Sequence, residues 1–392
     1  MGLMSEYINK RMSAKELENE LLKLIEKYNR TKKGDTFLFV YAGAIGKPIP
    51  DVPISMDDYY IIFDMLKNVE KKELDFYIET PGGSGEAVEE IARFLRSKFD
   101  NINFVISGEA KSAGTILALS GNDILMTKSG SLGPIDAQIK IGRTIISAYD
   151  YIEWINEKKK EAEKYGRLNP LDATMVAQIS PGELSLVYYA LKFAEDLVVE
   201  WLSKYKFQNW KVTSTKKIRV TEEMKKRRAR EIANDLINHA RWRTHGRSIK
   251  IEDLESIGLK ITRIDDCPDI AKIVYRIQTV IRLLFSTTTT YKIFATADEK
   301  IFKQAVAIGS PPKIPIKSTD VAEFEIKCPK CGNGYKIYAK FVEDPQIDRD
   351  FQKNGSIPFP KDNKLICNCG FEIDLMGIRN ELETRIGKKI LI

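Results

Sequence analysis

Residues 79–136 read ETPGGSGEAVEEIARFLRSKFDNINFVISGEAKSAGTILALSGNDILMTKSGSLGPID. Two small-residue turns, PGGSG at 81–85 and KSAG at 111–114, each follow a strand-like run, LDFYIE and INFVIS. Each also precedes a helix-like segment. In EAVEEIARFLRSKF, Val88, Ile91, Ala92 and Leu95 recur at the helical period and share one face. SAGTILALSG is short and almost wholly apolar, which predicts a buried helix. DILMT then reads as another short strand. Strand and helix thus alternate, the pattern of a layered α/β fold with parallel strands.

Working outward, TFLFVYAG predicts a buried strand, with a helix over DYYIIFDMLKNVE capped at Asp57. Residues 1–30 place Leu17, Leu21, Leu22 and Ile25 at helical spacing. Beyond Asp136, a helix is expected over TIISAYDYIEWINEKKKEAEKYG. A second begins at Ser180 as cap, with Pro181 at its first position and Glu183 at its third. TEEMKKRRAREIANDLINHA carries a basic run opposite an apolar stripe, which reads as a solvated helix face. IEDLESIGLKI closes at Gly258. DIAKIVYRIQTVIRLLFSTTTTYKIFAT predicts a helix followed by a strand, and GSPPKIPIKSTD has the composition of a linker.

The 392 residues, 43% apolar and 30% charged, are enough for two or three folded domains. With 62 basic against 55 acidic residues, the net charge of +7 is modest. That makes nucleic acid a poor candidate partner. The N-terminal segment lacks the apolar core of a signal peptide. Arg276 and Arg282 interrupt the greasiest late segment, so no stretch reaches the roughly 20 apolar residues a bilayer span needs. The expectation is a cytoplasmic protein that meets a membrane, if at all, only at its surface.

Serine chemistry needs an exposed hydroxyl on a rigid turn, backbone amides facing the developing oxyanion, and a base within reach. Ser112 follows a strand and opens a helix, where free amides favour negative charge. Ala113 and Gly114 leave room beside it. Gly82, Gly83 and Gly85 allow a sharp bend after the neighbouring strand. Strand C-terminal ends are where α/β sheets bind ligands. By pattern alone, the same turns also suit a small-molecule site or plain strand-to-helix connections.

YIETPGGSGEAVEEIARFL and VISGEAKSAGTILALSGNDILMTKSGSLGPIDAQI together resemble the superfamily of the Clp protease proteolytic subunit, signal peptide peptidase A and crotonase. Within it, they resemble most the serine dehydrogenase proteinases. The resemblance covers residues 35–140 and continues more thinly to GRSIKIEDLESIGLKI. It implies a Clp/crotonase-like layered fold of repeated β-β-α units, Ser112 as nucleophile, and an oxyanion hole from Gly82, Gly83 and Ala113. It also implies a homo-oligomer acting on polypeptide. The domains expected are an N-terminal helix (1–30), the Clp/crotonase-like domain (31–265), a helical extension and linker (266–322), a zinc-ribbon-like domain (323–376) and a tail (377–392).

The chain departs from the Clp pattern at the base. Where Clp peptidases carry their histidine, the matching segment SLGPID ends in Asp136. Signal peptide peptidases use a lysine from the following helix instead, and Lys158, Lys159, Lys160 and Lys164 occupy that region. The chain has two histidines, His239 and His245. His245 lies in WRTHGRSI, inside the thinner part of the resemblance. An imidazole suits general-base work without tuning. The expected arrangement is Ser112 with His245 as base and Asp136 orienting it. Lys164 represents the lysine alternative. A crotonase-like acyl enzyme and a non-catalytic scaffold for protein or nucleic acid are the competing function classes.

Four of five cysteines fall late. CPKCGNGY holds Cys328 and Cys331, and CNCGF holds Cys367 and Cys369. Paired thiolates followed by glycine predict a structural Zn²⁺ site. The second pair has one intervening residue rather than two. Flanking strand-like segments suggest a small sheet clipped by metal, in a segment with little core of its own.

Overall fold

The computed structural model describes residues 2–32, 34–141, 144–213, 215–305 and 320–391. The chain forms two compact units, Met1–Ala305 and Val306–Ile392. The linker expected over residues 309–320 lies outside the described residues, except for Asp320.

The first unit opens with helices α1 (Leu3–Asn9) and α2 (Ala14–Lys32). The core of the alternation follows: β1 (Thr36–Gly43), α3 (Met56–Leu66), β2 (Glu73–Glu79), α4 (Gly85–Lys98) and β3 (Asn101–Ile106). Next come β4 (Glu109–Ala110), α5 (Ala113–Leu119), β5 (Asp123–Met126) and β6 (Ser131–Leu132). Ser55, rather than Asp57, caps α3, in a capping box with Asp58.

After Asp136, the hairpin β7 (Gln138–Ile141) and β8 (Thr144–Ser147) precedes α6 (Ala148–Tyr165). The helix expected from Thr144 therefore starts four residues later. Thr144, Ile145 and Ile146 are β-branched and pair as a strand, while Ser147 accepts from the Asp150 amide and caps the helix. Helices α7 (Pro170–Val176), α8 (Pro181–Trp201), α9 (Glu222–Ile237), α10 (His239–Trp242) and α11 (Ile251–Ser256) follow. The Ser180 hydroxyl accepts from the Glu183 amide at 3.0 Å, as its cap motif requires. Strand β9 (Thr262–Arg263), α12 (Pro268–Thr287), β10 (Thr290–Ala295) and β11 (Lys300–Gln304) complete the unit.

The strands assemble in the order β11-β10-β1-β2-β3-β5-β9. β1, β2, β3, β5 and β9 are parallel, and β10 and β11 add an antiparallel edge. Both faces are covered, so each central strand sends alternate residues into two cores. Phe39, Phe76 and Phe104 face α3, α4, α5 and α9, whereas Val40, Tyr77 and Val105 face α2 and α12. A two-stranded parallel pair, β4 with β6, sits beside the main sheet.

These layers correct the expected boundaries at 30 and 265. The N-terminal helix and the late helix are not appendages. Leu21, Ile25 and Tyr28 of α2 and Val274, Ile277 and Ile281 of α12 are buried in one cluster with sheet residues. Strands β10 and β11 extend the main sheet itself. Among the described residues no helix is long and apolar enough to cross a membrane.

The second unit contains β12 (Val321–Lys327), β13 (Gly334–Lys340), α13 (Pro345–Lys353), β14 (Ile357–Pro358), β15 (Lys364–Ile366), β16 (Glu372–Asp374) and α14 (Met376–Ile386). Strands β12, β13 and β14 form one small sheet and β15–β16 a hairpin. The segment expected as a tail from 377 is instead part of the core. Leu382 and Ile390 are buried with Phe324, Ile337 and Phe359, because so small a unit needs that apolar surface.

Candidate active site and thiolate cluster

Ser112 and the Gly82–Gly83 turn meet at the C-terminal ends of β3 and β2. The Thr80 amide donates to the Glu109 carbonyl at 2.8 Å, and the Lys111 amide donates to the Thr80 carbonyl at 3.0 Å. The two loops are thereby zipped together just before the Gly82–Gly83 turn and Ser112. A Cβ on Gly82 would lie 2.8 Å from the Ser112 Cβ. One on Gly114 would lie 2.3 Å from Thr80 Cγ2. Small residues on both turns are the condition for this approach.

Ser112 has φ 49°, ψ −119°, a conformation that costs a non-glycine residue of order 1–3 kcal/mol. It sits at the N-cap of α5 but makes no side-chain cap bond, and it is only partly buried in an otherwise buried segment. Its hydroxyl is thus held out of the helix and left free for other work. The Ala113 amide is the first of that helix. Gly83 has φ 150° and is flanked by two strand-like bonds: the Ile54 amide donates to Gly82 O at 2.7 Å, and the Ser84 amide donates to Ile54 O at 2.9 Å. Neither the Gly83 nor the Ala113 amide has an acceptor among the described residues. Two unspent donors at adjoining turns are the raw material of an oxyanion hole.

The structure also brings Asp136 and His245 together. Asp136 is fully buried, and its Oδ1 lies 2.7 Å from His245 Nδ1, which is part-exposed. Gln138 Nε2 donates to the other carboxylate oxygen at 2.8 Å. Burial pushes the Asp136 carboxyl up, but bonding to His245 and Ser147 outweighs it and holds its pKa below the ordinary value. An ionised Asp136 requires the proton on Nδ1, which leaves Nε2 as the open acceptor.

Several contacts tie the segments that carry Asp136 and His245 to Lys111 and α5, next to Ser112. Leu132 bridges Ile249, and the Gly133 amide donates to Thr115 Oγ1 of α5 at 2.9 Å. Lys111 Nζ donates to the Arg247 carbonyl at 3.1 Å and the Ser248 hydroxyl at 2.8 Å. His239 forms a second pair, its Nδ1 2.7 Å from Asp150 Oδ2. Both histidines line one cavity of about 690 Å³, walled by Ile146, Tyr151, Trp154 and Met175.

The lysines of α6 are differently placed. Lys164 is exposed, with its ammonium over the ring of its neighbour Tyr165 at 4.9 Å. Lys158 is ion-paired with Asp172 at 2.6 Å and Glu161 at 3.0 Å, which holds its pKa up. A lysine base must be desolvated, whereas Lys164 stands in solvent and Lys158 is held by two carboxylates.

Sequence reasoning missed three contributors. Gln138 and Ser147 brace Asp136, and Lys111 binds the histidine loop. Only Lys111 had a legible signal, as a lone cation directly before the serine in an apolar stretch.

A family model described as ClpP-like SDH-type serine proteinase matches residues 9–179. Through this segment, which is less than half of its length, the chain is similar to the ClpP-like SDH-type serine proteinases. Ser112, the glycine turn and Asp136 lie inside the match, whereas His245 and the second unit lie beyond it. Two uncharacterized proteins of Methanocaldococcus jannaschii are similar. One is 27% identical over 130 residues, covering 32% of this chain and 45% of the relative. The other is 33% identical over 95 residues, covering 24% and 32%. The chain thus spans less than half the length of these relatives. Two structures of the 1510-N membrane-bound stomatin-specific protease, both mutants and one in complex with a substrate peptide, are each 14% identical. They cover 56% of this chain and 79% and 74% of theirs, with TM-scores of 0.32 and 0.33, too low to carry an argument.

In the second unit, the sulfurs of Cys328, Cys331, Cys367 and Cys369 all lie within 4.8 Å of one another. Cys328 Sγ is 3.7 Å from Cys369 Sγ, and Cys331 Sγ is 3.4 Å from Cys367 Sγ. A tetrahedral ion with bonds of about 2.3 Å separates its sulfurs by roughly 3.8 Å, so the four donors fit a metal ion. Gly332 and Gly370 take φ 79° and 80° at the knuckle turns. The Cys369 amide and then the Tyr335 hydroxyl lower the Cys367 pKa, which favours a thiolate.

Proposed function

We propose that the chain is a serine peptidase that cleaves polypeptide through an acyl-enzyme on Ser112. In this reading His245 takes the Ser112 proton, Asp136 fixes the imidazole, and the Gly83 and Ala113 amides receive the oxyanion. The observation that carries it is the buried Asp136 bonded to His245 at 2.7 Å. A buried carboxylate braced on both oxygens, with a part-exposed imidazole among its partners, is costly to maintain without use. Similarity to the ClpP-like SDH-type serine proteinases over residues 9–179 supports the reaction class, and the strained Ser112 turn supports the choice of nucleophile.

The steps follow from these positions. Ser112 Oγ attacks the carbonyl carbon while its proton passes to His245 Nε2. Charge developing on the carbonyl oxygen is met by amides that need no reorganisation. The imidazolium, stabilised by Asp136, protonates the leaving amine. Water then repeats the sequence to release the acyl group. The cavity beside His245 has room for a substrate side chain against Trp154 and Met175.

The four thiolates would hold a structural Zn²⁺ and clip β12–β13 to β15–β16 in the manner of a zinc ribbon. Such an ion supplies folding energy and takes no part in the hydrolysis.

A fluorophosphonate probe tests the central claim. Wild-type protein should be labelled at Ser112 and should hydrolyse a denatured protein substrate. Ser112→Ala should lose both while keeping its fold. Equal hydrolysis by the two proteins would sink the proposal.

A further inference from the structure

Lys111 stands immediately before Ser112, yet its side chain runs away from solvent and is 6% exposed. Its stem crosses Gly133, where a Cβ would come within 2.8 Å of Lys111 Cδ. Its ammonium ends among three acceptors: Leu132 O at 3.4 Å, Arg247 O at 3.1 Å and Ser248 Oγ at 2.8 Å. These use the three hydrogens an ammonium offers. All three acceptors are neutral, and among the described residues no carboxylate is bonded to the buried cation. An apolar stem of similar length would fill this space at lower cost. What the ammonium adds is direction.

The three acceptors belong to two segments that the site has to align. Leu132 lies four residues before Asp136, and Gly133 is tied to α5 through Thr115. Arg247 and Ser248 lie two and three residues after His245. One side chain, rooted beside the nucleophile, therefore pins the segment carrying the orienting carboxylate and the loop carrying the base. We infer that Lys111 is a positioning residue, setting the His245 loop against the Ser112 turn rather than exchanging protons itself. The inference rests on the reading of Ser112 as nucleophile and His245 as base.

The chemistry gives this pin a specific kinetic signature. Displacing a base by about 1 Å costs up to roughly a hundredfold in rate. Binding of an extended substrate elsewhere in the cleft is untouched. Loss of Lys111 should therefore lower kcat and leave KM in place. Ser248→Ala removes one of the three acceptors and should act in the same direction more weakly. Because both changes break one linkage, the double variant should be no slower than Lys111→Met alone.

The experiment measures the labelling rate of Ser112 by a fluorophosphonate, together with kcat and KM for fluorescein-labelled casein, on the full chain. Lys111→Met is expected to label about 10–100-fold more slowly with KM unchanged. A folded Lys111→Met protein that labels at the wild-type rate overturns the inference. So does one that loses activity only through KM. Should that variant not fold, Ser248→Ala decides, and wild-type labelling by it overturns the inference. Failure of the wild type to label at all is a different result. It removes Ser112 as nucleophile, and this inference falls with it.

Discussion

At the scale of single residues, the site is a set of groups held away from their relaxed states. Ser112 keeps a positive φ in a chain position where glycine would be cheaper. Asp136 keeps its charge without exposure. Replacing Asp136 by Asn should leave the fold in place and favour the wrong imidazole tautomer. We expect kcat to fall by about 10³–10⁴-fold, with a comparable loss for His245→Ala. Steady-state hydrolysis with circular dichroism as the fold check measures it, and a loss under tenfold for both would rule out the pair.

Glu79 illustrates a titrating group beneath the same loop. It is fully buried, with Arg282 Nη2 2.7 Å from its Oε1 outside hydrogen-bond alignment and the Tyr77 hydroxyl at 3.2 Å from Oε2. Burial raises its pKa from 4.5 to about 7, against the pull of Arg282. Because the folded-state value is raised, folding favours the protonated form. The stabilising contribution is full below about 4.5 and is lost as pH climbs to about 7. Wild type minus Glu79→Gln, compared by urea unfolding, should therefore decline across that window and flatten above it. A difference that stays constant with pH would refute the assignment.

Among elements, the decisive contact is the Gly82–Gly83 turn against the segment before α3. A Cβ on Gly83 would sit 2.3 Å from Ile54 O and 2.4 Å from Ile54 N, both backbone atoms that cannot swing aside. That segment is itself anchored. Asp58 of α3 and Lys292 of β10 form a fully buried pair at 2.5 Å, and Lys292 also donates to Pro53 O at 2.8 Å. With the backbone fixed on one side, Gly83→Ala must move the Gly83 amide. It should cost about 2 kcal/mol or more of stability and most of the Ser112 labelling rate. Thermal unfolding and probe labelling check the two parts separately. A variant with wild-type labelling would exclude this amide from the oxyanion hole.

On the scale of the whole molecule, the two units have separate cores and different sources of stability. The first buries two apolar clusters on either side of a seven-stranded sheet. The second has one small cluster and four convergent thiols. A unit of that size would gain folding energy from a metal ion held by those thiols. Simultaneous Cys367→Ser and Cys369→Ser replacement, or chelation, should unfold residues from about 320 onward and leave Ser112 labelling intact. Limited proteolysis with metal analysis measures both. Metal-free protein that resists proteolysis in this region would overturn the metal's structural role.

The chain's local patterns determined much of this on their own. Strand and helix alternation from Thr36 to Met126 is legible locally, because α4 shows one apolar face at the helical period while β1 and α5, buried throughout, read as short apolar runs. The glycine turns, Ser112 and the four cysteines were legible because such chemistry needs special residues at short range. Tertiary structure alone decided the rest. Residues 266–305 read as an extension, yet α12 and β10 close the second layer, and only long-range packing against α2 and β1 shows it. Residues 377–392 read as a tail, yet Leu382 and Ile390 complete a small core. The pairing of Asp136 with His245 joins residues 109 positions apart. No spacing rule predicts such a bond. It depends on Leu132 meeting Ile249 and on a lysine beside the serine reaching across to hold the loop, geometry that exists only once the layers have packed.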